Sequence, residues 1–292
     1  MFRSSYILII LPVAYFIIFK YIPLWNAQIA FKDFQAVEGI FRSPWNGLKN
    51  FLEFFNSFYF WELIRNTVGY SFAKLLVSLP SAIILAIAIT ESKLKFFKKI
   101  VQTMTYLPHF LSWVIMLGLL IMVLSPGDGL LNDIIRAVGG KPIAFLTEPK
   151  AFPFVVVLSD LWKEVGWSAI IFIAAFMGID PCLFEAADVE GAGSFTKIRH
   201  IMLPGIVDVI IVVLLLRLGN ILNAGFGQIF ILYSPAVYSV ADIIDTWVYR
   251  QGLLEFRFSL ATAVGLFKGI IGMFLLLFSN RLTKRFVGSS LY

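Results

Sequence analysis

The chain has 292 residues, of which 59% are hydrophobic and 14% charged, with a formal net charge of +6. Soluble domains are about 45–50% apolar and about 25% charged, so this composition excludes a disordered chain, a coiled coil and a nucleic-acid-binding domain and indicates an integral membrane protein. The single cysteine, Cys182, excludes an intrachain disulfide and a CxxC metal site.

Apolar runs of membrane-crossing length predict an all-α fold with six transmembrane helices in one domain over residues 1–292. A span needs about 20 mostly apolar residues, and such runs occur at about 5–22, 67–90, 101–124, 151–177, 205–224 and 258–280. No small-residue cleavage site closely follows the first run, which favours an uncleaved anchor over a signal peptide. The chain begins almost at this run, so we expect that a cytoplasmic leader is missing.

Basic residues between the spans predict that both termini are cytoplasmic. In this orientation the inner segments are 1–4, 91–100, 178–204 and 281–292, and they contain ten bases. The outer segments 23–66, 126–150 and 223–257 are together about twice as long and contain nine bases. The opposite orientation would place the cluster between Lys93 and Lys99 outside, against the positive-inside rule. We expect the outer segments to lie along the membrane surface or to dock a partner.

The longest inner connection, residues 180–204, predicts two short helices separated by a turn. Asp180 is suited to cap the first helix, with Pro181 at its first position. Good helix formers continue to Glu190, and Gly191 and Gly193 then break the helix because glycine tolerates a positive φ. An amphipathic stretch runs over 194–203, and Pro204 opens the next span. A protruding helix of this kind suits insertion into a groove on a partner.

The spacing within this connection resembles the EAA loop of permease subunits in binding-protein-dependent ABC importers. The residues that carry the match are Glu185, Ala186, Ala187, Gly191, Ile201, Leu203 and Pro204. Four further stretches, 29–34, 43–48, 63–67 and 106–113, are similar to the polysaccharide-type sugar permeases, a branch related to the maltose importer permeases. Within that branch, we expect permeases of alginate importers to be the most similar.

The resemblance implies a type I importer permease fold with a mechanism based on a coupling helix. The loop would dock on a cytoplasmic ATPase, with Glu185 facing a basic group and Gly191 acting as a hinge. The implied partners are a second, different permease, two ATPase subunits and an extracytoplasmic solute-binding protein, in the inner membrane. The chain has no GxxxxGK[ST] phosphate loop, so we expect ATP and Mg on the partner ATPase, no cofactor or metal in this chain, and no enzymatic activity.

Ionisable and polar residues inside the spans predict a substrate pathway. Each charge costs about 2.5–3.5 kcal/mol at the centre of a membrane helix on insertion scales. Asp160, Lys163 and Glu164 share one helix face, and the resemblance implies that the spans before and after the loop contact substrate. Lys74 is expected to reach an interface by snorkelling, and His109 to be packed or interfacial. The expected pathway residues are Asp160, Trp162, Lys163, Glu164, Arg217, Asn220 and Asn223.

The charges on these spans favour an acidic oligosaccharide such as an alginate-type uronate. A neutral sugar needs no cation in its path, whereas arginine binds a carboxylate through two parallel hydrogen bonds. Asp160 and Glu164 could instead neutralise Lys163, so a permease for a neutral oligosaccharide stays open as an alternative. A secondary transporter is a further alternative, but it is disfavoured because no repeat with matching hydropathy is present.

Overall fold

The computed structural model describes residues 3–286, and the ordered elements there are helical, apart from one isolated antiparallel bridge between Lys32 and Trp45. Residues 1–2 and 287–292, which belong to the segments predicted to be inside, lie outside the described residues. The α-helices are α1 (Arg3–Phe16), α2 (Ile22–Leu24), α3 (Gly39–Arg42), α4 (Lys49–Phe55), α5 (Phe60–Glu91), α6 (Lys95–Tyr106), α7 (Trp113–Leu124), α8 (Leu130–Ala137), α9 (Phe152–Met177), α10 (Pro181–Val189), α11 (Ser194–Lys197), α12 (Leu203–Gly205), α13 (Val207–Gly219), α14 (Phe226–Leu232), α15 (Tyr238–Ala241), α16 (Ile244–Tyr249) and α17 (Phe258–Phe286).

Short turns of other helical types connect several of these elements. The π-helical turns are Ile17–Tyr21, Ile198–Met202 and Arg250–Leu254, and the 3₁₀ turns are Trp25–Phe31, Leu107–Phe110 and Pro235–Val237. Three helices are long and apolar enough to cross a membrane, and the number rises to six if each of three bent helix pairs counts as one span. The described residues therefore agree with the predicted all-α membrane fold.

Residues 101–124 do not form one continuous helix, in contrast to the sequence prediction. The segment Lys95–Phe110 meets α7 at an angle of 113°. Leu111 and Ser112 have extended backbones at the break, and the Ser112 hydroxyl accepts a hydrogen bond from the Ile115 amide to begin α7. Because Pro108 lacks an amide hydrogen, it weakens the helix just before this point.

Polar contacts replace the missing helical hydrogen bonds at the break. The Lys163 ammonium donates to the carbonyl oxygens of Pro108 (3.2 Å), His109 (2.5 Å) and Leu111 (2.7 Å). A carbonyl left unpaired in the hydrocarbon region costs several kcal/mol. Lys163 on α9 therefore stabilises the bend between α6 and α7.

The residues divide into two compact units, Met1–Leu63 with Ile244–Ile271, and Ile64–Ile243 with Gly272–Tyr292. The first unit contains an aromatic core in which Phe54 packs against Phe60, Trp247 and Phe267. The Lys268 ammonium in this unit binds both carboxylate oxygens of Asp245, at 2.6 and 2.8 Å. Lys268 lies within the predicted span 258–280, and its charge is therefore paired inside this unit.

The second unit contains two apolar clusters along α5 and α9. One cluster includes Tyr70 of α5 and Phe152 and Val156 of α9. The other includes Leu75 and Leu79 of α5 and Ala169, Phe172 and Phe176 of α9, together with Met202 and Ile206. Along each helix, polar residues separate the two clusters. They are Lys74 on α5, and Asp160 and Glu164 on α9.

Gly166 marks a close approach of α9 to α6. A Cβ atom at Gly166 would lie 2.1 Å from the carbonyl oxygen of Thr105, a distance that no packed atom tolerates. We therefore expect Gly166→Ala to push the two helices apart and to lower the free energy of unfolding by about 3 kcal/mol, the upper part of the range for overpacking. The thermal unfolding midpoint of the solubilised protein measures this loss.

Gly118→Ala is the matched control for this substitution. A Cβ at Gly118 in α7 has no neighbour within 4 Å among the described residues, and alanine favours a helix by about 1 kcal/mol over glycine. This variant should be as stable as the parent or more stable. Equal unfolding midpoints for the two variants would contradict the close approach at Gly166.

Candidate functional site

A cavity of about 290 Å³, lined mostly by polar and charged residues, lies in the second unit, between the two apolar clusters. The helices α5, α9 and α13 and the turn after α13 supply its walls. Five of the seven residues predicted for a substrate pathway line it, and Lys74 does so as well. The lining residues are Ser71, Lys74, Leu75, Asp160, Glu164, Ser168, Arg217, Asn220, Ile221, Asn223 and Gly225.

The Lys74 ammonium is the most highly connected charge of the cavity. It lies 3.2 Å from an Asp160 carboxylate oxygen and donates to the Ala224 carbonyl at 2.8 Å and to the Gln228 side-chain oxygen. Its side chain is only 11% exposed. The expectation that Lys74 reaches an interface is wrong, because carbonyl, amide and carboxylate oxygens inside the unit bind the ammonium.

Gly225, in the turn before α14, and Gln228, within α14, pack closely against Lys74. The Gln228 amide donates to the Val156 carbonyl at 2.7 Å and to the Ser159 hydroxyl at 2.9 Å, so its oxygen faces the lysine. Gly225 has φ +97°, and a Cβ there would lie 2.8 Å from the Lys74 nitrogen. Lys74 thus connects α5, α9 and this turn through one buried charge.

Arg217 is placed differently from the other charges of the cavity. Its guanidinium donates to the Ser78 hydroxyl at 3.1 Å and to the Ser168 hydroxyl at 2.8 Å. Within the described part of the chain, no carboxylate forms an ion pair with it. The two serines hold the guanidinium in a fixed position and leave its positive charge unneutralised by a direct partner.

Asn220 and Asn223 lie beyond the end of α13, although the predicted span 205–224 includes both. The helix α13 ends at Gly219, with Asn220 as its C-cap, and Asn223 lies in the following turn. The Asn220 amide donates to the Leu216 carbonyl at 3.0 Å, and the Asn223 amide donates to the Asn220 oxygen at 3.3 Å. Both nevertheless line the cavity, because the turn folds them beside Arg217.

Glu164 lines the cavity and contacts the α6–α7 break. Its carboxylate oxygen lies 2.8 Å from Nδ1 of His109, and the His109 ring stacks on Trp167 with a centroid separation of 4.5 Å. His109 is therefore packed, in agreement with its expected role. Lys163 and Trp162, the two other predicted pathway residues, are not among the lining residues. Lys163 is buried against the break, and the Trp162 side chain is 45% exposed.

The predicted inner loop forms the helix α10 with well-defined ends. The Asp180 carboxylate accepts a hydrogen bond from the Cys182 amide at 2.9 Å and caps the start. At the other end, the Ala192 amide binds the Ala187 carbonyl (2.8 Å), the Gly191 amide binds the Asp188 carbonyl (3.1 Å), and Gly191 has φ +73°. This is the glycine-dependent Schellman motif. Gly193 differs from expectation, since its φ of −71° is ordinary and it begins α11 instead.

One side of this loop is anchored and the other is exposed. Phe184 and Ile198 pack against the apolar cluster that contains Met202 and Ile206. Leu183, Val189 and Phe195 are exposed, at 52%, 90% and 74%, and Glu185 and Ala186 are exposed as well, whereas Ala187 is half-buried. Ile201 lies in the following π turn, and Leu203 and Pro204 lie in α12, next to the buried Met202. The exposed residues of the loop include these apolar side chains and several carboxylates, among them that of Glu185.

Comparison with known proteins gives consistent matches over the whole length. The family model described as "Binding-protein-dependent transport system inner membrane component" matches residues 78–288. The polygalacturonan/rhamnogalacturonan transport system permease protein YteP of Bacillus subtilis (strain 168) is 41% identical over 290 residues, which cover 99% of this chain and 90% of YteP.

Two solved structures share this fold. A chain of a bacterial ABC transporter involved in the import of the acidic polysaccharide alginate superposes with a TM-score of 0.91 at 39% identity, and the match covers 98% of this chain and 96% of that chain. A chain of the bacterial alginate ABC transporter in complex with an alginate pentasaccharide-bound periplasmic protein also has a TM-score of 0.91, at 38% identity, with 99% and 97% covered.

Proposed function

Because the chain belongs to the inner membrane components of binding-protein-dependent transport systems, we propose that it forms part of the pathway through which an ATP-driven importer takes up an acidic oligosaccharide or polysaccharide. As a member of this family it is a multi-pass permease and not an ATPase itself. The all-α importer-permease fold predicted from the sequence is confirmed by the match to the alginate transporter chain.

The relatives support a carbohydrate as the substrate. The name of YteP gives polygalacturonan and rhamnogalacturonan as its substrates, and the solved transporters are described as importing alginate. Both descriptions concern acidic polysaccharides or pectic chains. The proposed substrate of this chain is therefore a uronate-containing oligomer that a solute-binding protein delivers.

Arg217 carries the inference that the substrate is acidic. Its guanidinium lines the cavity, two serine hydroxyls orient it, and no described carboxylate forms an ion pair with it. A guanidinium in this state suits a carboxylate, which it binds through charge-assisted hydrogen bonds that are roughly twice as strong as neutral ones. Lys74 and Asp160 neutralise each other, and the Glu164 carboxylate, which also lines the cavity, contacts His109 and not Arg217.

The exposed face of α10 supports docking on an ATPase. Glu185 would meet a cationic group, while Val189, one turn further along the same face, would supply apolar contact area. The apolar anchor of the loop would transmit the ATPase movement to α9 and α13. The further partners that we propose are a second permease, a second ATPase subunit and the solute-binding protein on the outer segments, with ATP and Mg bound by the ATPases and both termini of this chain in the cytoplasm.

Arg217→Gln should convert a charge-selective transporter into a less selective one. Loss of hydrogen bonds to a charged group costs about 1.5–3 kcal/mol, which corresponds to a roughly 10- to 100-fold higher KM. We expect this change for pentagalacturonate and less than about a twofold change for maltopentaose. The measurement is uptake of each sugar into vesicles that contain the complete transporter. The solute-binding protein is supplied at saturation.

Two controls make this result decisive. Arg217→Lys retains the charge but lacks the planar fork, so its KM for the uronate should lie between those of the parent and Arg217→Gln. Vesicles that contain this chain alone should accumulate neither sugar. Equal losses for the acidic and the neutral pentamer would show that Arg217 is structural and that the substrate is a neutral oligosaccharide or unselected for charge.

A further inference from the structure

A second cavity, of about 260 Å³, lies entirely within the unit Met1–Leu63 with Ile244–Ile271. It is formed by residues of the outer segments 23–66 and 223–257 and by the first turn of α17. One wall is polar and includes Asp33, Asn46 and Lys49. The other wall is aromatic. No residue of this cavity belongs to the pathway around Arg217.

Internal hydrogen bonds make the polar wall rigid. The buried Asn50 amide donates to the carbonyls of Ala30 (2.8 Å) and Lys32 (3.1 Å). The Arg257 guanidinium pairs with Glu53 and also donates to the Gln251 oxygen at 2.9 Å. These contacts fix the backbone and one ion pair at the cavity before any ligand arrives.

Two charged side chains of the same wall are left available. Across the described residues, neither the Asp33 carboxylate nor the Lys49 ammonium forms an ion pair, and both residues are exposed. The two available charges of this cavity, Asp33 and Lys49, have opposite signs, so the cavity does not select for a net charge. Its carboxylate, amide and ammonium groups are instead suited to hydroxyl groups, which both donate and accept hydrogen bonds.

The aromatic wall contains a residue with an unfavourable backbone conformation. Phe256 has φ +56° and is the one non-glycine residue with a positive φ in the described part of the chain. It follows the π turn Arg250–Leu254, where the Arg257 amide binds the Gln251 carbonyl at 2.8 Å. Glycine is the usual residue at such a helix end, because a side chain is strained there.

Burial in a core does not explain why phenylalanine occupies this position. The Phe256 side chain is 73% exposed. Its ring contacts Phe258 (centroids 6.1 Å apart), and Phe258 contacts Phe34 (5.9 Å). The three rings thus form a row from the rim of the cavity inward. A strained residue that presents an exposed ring beside a polar cavity indicates a role in ligand contact.

We infer that this cavity is a subsite for one sugar unit of the transported oligosaccharide on the outer side of the membrane, with Phe256 as its aromatic contact. This inference rests on the proposed function, which supplies the carbohydrate and the orientation. The sugar ring packs its apolar face on the aromatic row, and its hydroxyls bind Asp33, Asn46 and Lys49. The subsite accepts acidic and neutral sugar units alike, in contrast to the pathway at Arg217.

Phe256→Gly tests the subsite without a risk of unfolding, since glycine relieves the strain. Removal of one aromatic contact should raise the Kd of the oligosaccharide about two- to tenfold. The Kd is measured by saturation-transfer NMR for pentagalacturonate and maltopentaose on the intact solubilised transporter, without its binding protein. Both sugars should be affected equally, and the thermal unfolding midpoint should not fall.

Phe58→Ala is the matched control, because Phe58 is an 89% exposed phenylalanine of the same unit that does not line the cavity. It should leave both Kd values unchanged. An unchanged Kd in Phe256→Gly, or equal changes in both variants, overturns the subsite. Weaker binding of the solute-binding protein with unchanged sugar Kd also overturns it and identifies a protein-docking surface. Sugar uptake that persists in any of these cases leaves the proposed function intact, whereas absent uptake by the parent transporter refutes that function.

Discussion

Replacement of Glu185 by lysine is expected to abolish the stimulation of ATP hydrolysis by substrate-loaded binding protein, while the permease still folds and assembles. Glu185 is exposed on α10 one helical turn before the exposed Val189, in the face that we propose docks on the ATPase. A like-charge contact at such an interface costs several kcal/mol. Since about 1.4 kcal/mol changes an equilibrium tenfold, productive docking should fall by at least about 100-fold.

ATP hydrolysis by the reconstituted complex, with and without loaded binding protein, measures this effect. Glu190→Lys is the matched control, because it makes the same charge change at the exposed C-cap of α10. At about 100° per residue, Glu190 lies about 140° around the helix from Glu185. Normal stimulation in Glu185→Lys, or an equal loss in Glu190→Lys, would contradict a specific contact at Glu185.

Lys74→Met should lower the free energy of unfolding by about 3–5 kcal/mol, the usual loss when one partner of a buried ion pair is removed. The Asp160 carboxylate would lose its counter-charge, and the oxygens of Ala224 and Gln228 would lose their donor. Thermal or denaturant unfolding of the solubilised permease measures the loss. The cavity would also change shape, so uptake should fall together with stability.

Two further variants separate burial from charge. Lys197→Met removes the pair with Asp188, whose side chain is 66% exposed, so stability should change by no more than about 1 kcal/mol. The double variant Lys74→Met/Asp160→Leu removes both charges, and an apolar replacement of a buried pair is often neutral. It should recover most of the stability lost in Lys74→Met. No recovery would show that the hydrogen bonds of Ala224 and Gln228, not the charge, dominate.

The helices of the loop 180–204 could be predicted from sequence because their signals are local. Asp180, Pro181 and Gly191 act within one helical turn of their own positions, as a cap, a first residue and a Schellman glycine. The sequence predicts the same property for Gly193 as for Gly191, but one positive φ is sufficient to end a helix. The chain therefore continues in an ordinary conformation into α11.

Hydropathy does not predict the break at Leu111 and Ser112, because a hydropathy window measures composition and not direction. An apolar run of span length has the same mean value whether it is straight or bent by 113°. Pro108 and the capping residue Ser112 are the local signals that could have located it. Hydropathy does not predict the end of α13 at Gly219 either, since the apolar run of the predicted span 205–224 continues past the last helical residue.

The role of Lys74 depends on contacts between residues far apart in the chain. Its partners Asp160, Ala224 and Gln228 lie on other elements, and the hydrogen bonds span 150 and 154 positions. A single sequence carries no information about such distances. The same limit applies to Lys163, which the sequence placed in the pathway with Arg217 and which the fold uses at the α6–α7 break.

The bend between α6 and α7 has a consequence for the order in which the protein is made. The carbonyls of Pro108, His109 and Leu111 find their donor in Lys163, which follows them by 55, 54 and 52 positions along the chain. Ribosomal synthesis delivers the bend well before that lysine. The nascent segment 95–124 therefore enters the bilayer before the three carbonyl oxygens at its bend have their hydrogen-bond donor. It reaches its final shape only after α9 has been translated and inserted beside it.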